Sequence, residues 1–389
     1  MSSASVAFDT VIIGGGVIGC AIAWKLAEAG TRVALLERGQ PGRESSYAAG
    51  GMLAAQVESD PRTPFFKLAT ASRNLFPDFV RKLQAKSGIG VEYRRDGTLM
   101  LSLRPEDDEE IEDSFALQKS LGLNVERLTH EQIREIEPSL STEARFALRF
   151  ADDHQVDNRL LTLALERAAV LSGAEIFTGI EAHEVVAAPH AAAKAHSRSK
   201  LSVQTSRYRF DAAHVVLAAG CWSGSILTPS QLLASAGIVP VRGQMIALSA
   251  GPASLKYVVY SHRGYLIPRS NGAIIAGSTT ENVDFNKSVT AGGVASIIAA
   301  AIETMPIVND MTIVETWAGL RPGTADGLPV IGEDPQISGL YYATGHYRNG
   351  ILLSPITAEA IAQLILKGSA QVDLSPFSIT RFADRAAFG

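Results

Sequence analysis

Six residues, Gly14-Gly15-Gly16-Val17-Ile18-Gly19, stand between an apolar strand-like run at 10–13 and an apolar stretch of small residues at 20–29. The spacing Gly14-x-Gly16-x-x-Gly19 in that setting restricts the start of the chain to a βαβ unit that binds a dinucleotide. The first glycine permits the tight turn, the second lets backbone approach a pyrophosphate, and the third lets helix pack on strand. Val17 and Ile18 complete the loop at the helix N-terminus, where unpaired N–H groups and the helix dipole favour anions. Gly30 stops the helix, a second strand follows at 33–36, and Glu37 lies 18 positions beyond Gly19. An acid there accepts hydrogen bonds from ribose hydroxyls, and its charge argues against the 2′-phosphate of NADP. The motif by itself leaves NAD and FAD both open.

The chain's 389 residues suggest two domains, or one large domain with an insertion. With 46% hydrophobic and 19% charged residues, there is material for a core and no case for wholesale disorder. A net charge of −5 is not the footprint of a nucleic-acid binder. Glycine is in excess, 34 residues or about 9% against a usual ~7%, which raises the question of what the surplus does beyond making turns. The first eight residues lack a basic segment ahead of an apolar one, so no secretory signal is expected. The uncharged run at 11–24 is short and broken by glycines, so no membrane insertion is expected. Cys20 and Cys221 have neither redox nor zinc spacing and fit a reduced, cytoplasmic setting. HExxH, a Walker A lysine and GxSxG are all absent, and the histidines do not cluster, so no metal is expected.

Apolar residues at three- and four-residue spacing, Leu68 to Leu83, predict a helix over 65–83. Short strands are expected over 91–93 and 98–103, and an acidic helix with a solvated face over 105–121. Thr129 and Gln132 form a capping box, and Gly173 ends a helix over 158–171. The Ala-rich stretch 187–200 reads as a solvent loop between two strands, and 215–219 as a strand closing at Gly220. Antiparallel strands are expected over 238–285, then helices over 289–304 and 350–367. The fold class is α/β: a Rossmann-like nucleotide-binding domain interleaved with a mostly antiparallel α+β substrate domain. The expected division gives 1–90, 151–237 and 325–389 to the first domain and 91–150 and 238–324 to the second.

Four further blocks carry a resemblance. Arg43-Glu44-Ser45-Ser46-Tyr47-Ala48-Ala49-Gly50-Gly51-Met52-Leu53 resembles the second flavin-contacting segment of the D-amino acid oxidase and glycine oxidase family. Val216-Leu217-Ala218-Ala219-Gly220-Cys221-Trp222-Ser223 is similar to that family's later FAD-side strand and turn. Trp317-Ala318-Gly319-Leu320-Arg321-Pro322-Gly323-Thr324 and Gly345-His346-Tyr347-Arg348-Asn349-Gly350-Ile351-Leu352-Leu353 look like its two most diagnostic blocks. The match is closer to glycine oxidases of the thiamine-pathway type than to sarcosine oxidases or mammalian-type D-amino acid oxidases. It covers nearly the whole chain in order, with a longer loop near 187–200.

The resemblance implies non-covalent FAD, since no His or Cys lies in 43–53 to tether it. It implies FAD contacts at Gly14, Gly16, Val17, Ile18 and Gly19, at Glu37 and Arg38 beside the ribose, and at Ser45, Ser46, Gly50, Gly51 and Met52 along the pyrophosphate and ring. Ala182 stands where the family's adenine-side contact falls, and Gly220 in the later turn. His346, Arg348, Asn349, Gly350, Ile351 and Leu352 would wrap the pyrimidine end, with the last helix's N-terminus facing it. For the substrate, Arg321 matches the carboxylate-binding Arg, Arg348 a second Arg beside the flavin, and Tyr265 the Tyr that assists at the carboxylate. Met52 would shape the pocket. Trp222 reads as support for the flavin-side turn, and both cysteines as packed small residues. The implied activity is oxidative deamination of glycine, sarcosine, D-alanine and similar small amines by molecular oxygen, releasing hydrogen peroxide. The alternatives are a D-amino acid dehydrogenase or an oxidase of a bulkier N-substituted glycine. Relatives are commonly tetramers, which implies a homo-oligomer.

Overall fold

The computed structural model describes residues 5–187, 201–249, 251 and 254–383. Among them the strands make two eight-stranded sheets and one two-stranded ribbon. The first sheet grows from the β-branched strand Ser5–Ile13, which pairs in parallel with Val33–Glu37 on one side and Arg209–Leu217 on the other. Leu340–Thr344 and Glu175–Thr178 extend it in parallel outward. Antiparallel strands Val330–Glu333, Leu201–Thr205 and Ala182–Ala187 complete it. Side chains alternate between the two faces, as strand geometry requires. Ile12, Leu35 and Val216 face one core with the helices Val17–Glu28, Pro64–Ser87, Asn158–Leu171 and Gly350–Lys367. Val11, Ile13, Leu36 and Leu217 face the other.

The helix ends follow from local chemistry. Thr63 caps Pro64–Ser87 by accepting from Phe66 N, Asp157 caps Asn158–Leu171 by accepting from Leu160 N, and left-handed Gly88 ends the former. Thr129 and Gln132 form both halves of a capping box. The span Tyr347–Lys367, which holds the last helix Gly350–Lys367, is long and apolar enough to cross a membrane by length and composition, but it packs into the first core, with Ile351 to Ala358 buried.

The second sheet has the order Ile313–Gly323, Val239–Leu248, Ile274–Gly277, Gly264–Pro268, Val258–Ser261, Thr98–Ser102, Phe146–Phe150 and Glu126–Thr129. All its neighbours are antiparallel except Val258–Ser261 with Thr98–Ser102. Helix Ala291–Thr304 covers one face, packing Ile297 and Ala301 on Ile246, Leu266 and Ala276. The opposite face carries Met245, Tyr265, Ile267 and Trp317 and looks across at Ala48 and Met52.

One sequence expectation changes. No strand forms at 91–93: the chain turns at Glu92 (φ +48°), and the Val91 N–H goes to the Gln84 side chain instead of a ladder. The loop expected at 187–200 lies outside the described residues, apart from Ala187, which ends a strand.

Candidate active site

The cleft lies between the carboxyl ends of the parallel strands and the open face of the antiparallel sheet, where open α/β sheets place ligands. Its empty volume is about 1740 Å³, open solvent included. Gly14, Glu37, Ala218 and Thr344 each follow directly on, or end, a parallel strand and reach it.

At one end the phosphate loop turns sharply. Gly14 has φ +109°, and a Cβ there would lie 2.5 Å from the Ala218 carbonyl oxygen. Gly16, the N-cap of Val17–Glu28, brings no side chain to the helix end. One helix N–H is taken from afar, Val17 N donating to Ser46 Oγ at 2.9 Å. Glu37 is held by two amides, Gly15 N to Oε2 (2.9 Å) and Gly39 N to Oε1 (2.8 Å). Each carboxylate oxygen keeps a further lone pair for a hydroxyl. Arg38 lies over the Trp222 ring, 3.9 Å from its centroid, and pairs with Glu44 at 3.3 Å; Lys287 reaches Glu44 at 2.9 Å. Trp222 therefore lines the cleft and carries Arg38, beyond the supporting role read from the sequence.

The middle is the segment 45–52. Ser45 Oγ donates to the Leu320 carbonyl, tying the segment to the antiparallel sheet. Behind it, half-buried Arg269 donates to Gly50 O (3.0 Å) and Asn158 Oδ1 (3.1 Å), and Trp317 Nε1 donates to Ala48 O at 3.1 Å. The two donors, Arg269 just past the strand Gly264–Pro268 and Trp317 on the strand Ile313–Gly323, are distant in sequence from the segment they hold.

At the far end, Tyr265 donates its hydroxyl to Met245 Sδ (3.3 Å) and stacks on Tyr260. Arg321 donates from Nη2 to Ser278 Oγ (2.7 Å) and from Nη1 to Thr279 O (3.2 Å). Arg348 is not a free cation: Nη2 and Nε both donate to Glu58 Oε1, at 2.6 and 3.2 Å. The Glu58 carboxylate beside it pushes the Arg348 pKa up and keeps it charged. The sequence reading missed Glu58, 290 positions away, because nothing local marks it. His346 is 4% exposed, its Nε2 is 3.1 Å from Thr357 Oγ1, and burial pulls its pKa down to about 3. The imidazole is thus neutral.

Gly14, Gly16, Val17, Ile18, Glu37, Arg38, Ser45, Ser46, Gly50, Gly51, Met52, Ala182, Gly220, Tyr265, Arg321, His346, Arg348, Gly350 and Ile351 all line this one cleft. Three residues expected at the cofactor do not. Gly19 is packed against the Gly14 carbonyl, where a Cβ would overlap the oxygen. Leu352 is buried in the core, its carbonyl accepting from Ser72 Oγ at 2.6 Å. Asn349 sits at the N-cap of the last helix without a side-chain capping bond. Cys20 and Cys221 are free and buried, and burial pushes both thiols up, Cys221 to about 12.

These residues suit a flavin dinucleotide: a helix end whose N-cap is glycine for phosphates, an acid for a ribose, backbone at Gly50 and Gly51 lining the cleft, and a second helix end at Gly350. The chain belongs to the DAO family of FAD-dependent oxidoreductases, whose family profile matches residues 9–364. It is an FAD enzyme. Among its relatives, the glycine oxidase of Geobacillus kaustophilus is 34% identical over 376 residues, 96% of this chain and 97% of that protein. The bifunctional protein ThiO/ThiG of Synechocystis is 35% identical over 96% of this chain and 54% of its own length. The crystal structure of the Geobacillus glycine oxidase superposes with a TM-score of 0.88 at 33% identity, covering 96% of this chain and 99% of that one.

Proposed function

We propose that the enzyme oxidises glycine and other small amines or D-amino acids, such as sarcosine and D-alanine, and serves thiamine biosynthesis. The overall reaction takes the amino acid, oxygen and water to the oxo acid, ammonia or amine, and hydrogen peroxide. When bound, FAD supplies the two-electron chemistry at Cα and the return of those electrons to oxygen. The chain's own residues bind and orient. Arg321 holds the carboxylate with charge-assisted bonds. The Tyr265 hydroxyl stands at the same wall. The Arg348–Glu58 pair borders the pocket, and Met52 shapes it. The helix end at Gly350 favours negative charge at the flavin's pyrimidine end. In this reading the nucleotide-binding part comprises 1–90, 151–237 and 325–389, the substrate part 91–150 and 238–324, and the enzyme works in the cytoplasm as a homo-oligomer, a tetramer.

One observation carries the reading: Arg321 shares a cleft with the nucleotide cradle, fixed by Ser278 and Thr279 with N–H groups to spare. Peroxide release from glycine, sarcosine, N-ethylglycine, D-alanine and D-proline tests the substrate class. Turnover with dyes but no peroxide would assign a dehydrogenase. Arg321→Ala should lower kcat/KM on glycine by roughly 100-fold or more, mainly through KM. Wild-type kcat/KM in that variant would remove Arg321 from the site.

A further inference from the structure

Gly243 lies in the strand Val239–Leu248, in the row where it faces Gly319 across the ladder. Its φ is outside the left-handed region, so the backbone does not call for glycine there. The space does. A Cβ built on Gly243 would fall inside the Arg321 guanidinium, with Nη2, Cζ and Nη1 as its three nearest atoms. The guanidinium therefore lies on bare backbone at the diagonal position, two residues along the strand from its own cross-strand partner Val241.

Neighbouring glycines on this wall serve differently. The space beside Gly319 is filled by the Ala48 methyl, and that beside Gly277 by the Met245 thioether. Of these three glycines, Gly243 alone has its missing side chain replaced by a charged group that lines the cleft. Ser278 and Thr279 hold the guanidinium from its N–H groups, and Gly243 supports its face.

We propose that Gly243 is a positioning residue for the substrate carboxylate: its bare backbone is the seat of Arg321 and sets how far the guanidinium stands into the pocket. The proposal rests on the reading of Arg321 as the carboxylate anchor. A methyl at position 243 meets the far end of a flexible side chain, so the strain is relieved by moving Arg321 and not by unfolding the sheet. The cost then falls on binding.

The test compares Gly243→Ala, Arg321→Ala and the double variant as FAD-loaded enzymes. Three things are measured: peroxide kinetics on glycine, the flavin spectrum titrated with acetate, and flavin content with the unfolding midpoint. In Gly243→Ala the KM for glycine and the Kd for acetate should both rise about 10- to 100-fold, with kcat changing less than about threefold. Flavin content and midpoint should stay at the wild-type level. The double variant should bind acetate no more weakly than Arg321→Ala alone, because the two changes remove one interaction. Wild-type acetate affinity in Gly243→Ala beside weak binding in Arg321→Ala would overturn the seat and leave the anchor standing. Wild-type affinity in Arg321→Ala would overturn the anchor, and the seat with it. Should Gly243→Ala fail to fold, the double variant decides: removing the guanidinium frees the space, so it should fold and hold flavin as Arg321→Ala does. Failure of the double variant to recover would mean the methyl collides elsewhere and would overturn the proposal.

Discussion

The two walls of the cleft differ in what they present. On the parallel-sheet wall the groups are backbone: the helix end at Gly16, the turn at Gly14, and amides that hold Glu37. They come from neighbours in the chain. On the opposite side of the cleft the groups are side chains: Arg321, Tyr265 and Met245 of the antiparallel sheet, with the Arg348–Glu58 pair closing the pocket beside them. They come from three strands and two loops far apart in sequence. Both walls use glycine, for different ends. At Gly19 the excluded Cβ would meet rigid backbone, and at Gly243 it would meet a movable guanidinium. Substitutions on the first wall should therefore cost folding and cofactor retention, and those on the second should cost substrate affinity in an intact fold.

The sharpest break would come at Gly19. A Cβ there overlaps the Gly14 carbonyl oxygen and approaches its carbon at 3.1 Å, with the helix on one side and the strand turn on the other. Gly19→Ala should cost about 3 kcal/mol or more, the upper range for overpacking, read as a lower denaturation midpoint together with loss of bound FAD. A variant with wild-type midpoint and flavin content would erase the distinction between the walls.

His346 stands where the walls meet and offers a smaller, pH-dependent test. Unfolded, its imidazole takes up a proton near 6.5; folded, burial holds that back to about 3. The folded state binds fewer protons in between, so the stability tied to neutral His346 is complete above pH 6.5 and is lost as pH falls from there towards 3. Over pH 7 to 5 the loss is about 2 kcal/mol. His154, pulled down to about 4 by burial, adds to the same window. Urea midpoints should fall less steeply on acidification in His346→Gln than in wild type. Parallel slopes would show that the imidazole is protonated freely in the folded protein.

The difference between the walls also explains what could be read from sequence. A backbone cradle needs room at fixed local spacing, so Gly14, Gly16, Gly19 and Glu37 announce the first wall within one βαβ unit. Most long elements were legible too, because their hydrophobic periodicity and caps are local, as at Thr129 and Gln132. The side-chain wall has no such signature. Arg321 and Tyr265 stood out only through family resemblance, and nothing near Arg348 points to Glu58. Gly243 sits in an ordinary strand, and its need for glycine exists only once Arg321 is folded over it. The missing strand at 91–93 has a similar cause: the alternation Val91-Glu92-Tyr93 looks like a strand until Gln84 and the turn at Glu92 claim the backbone.

The smallest expected effect sharpens the side-chain wall. Glu58 neutralises Arg348, and both are largely buried, at 8% and 25% side-chain exposure. Glu58→Gln keeps the shape and a hydrogen-bond acceptor for Arg348 but raises the charge of the pocket by one. A simple carboxylate lacking an amine should then bind more tightly. The gain is about 1 kcal/mol, or roughly fivefold in the Kd for acetate, and it should shrink at high salt as screened charge effects do. Arg348→Gln should move acetate binding in the opposite sense. If acetate affinity ignores both changes, the pair is a local strut and the carboxylate is felt by Arg321 alone. If it responds as expected, Arg321 and the Arg348–Glu58 pair act on the carboxylate together, and Glu58 lowers the net positive charge they present.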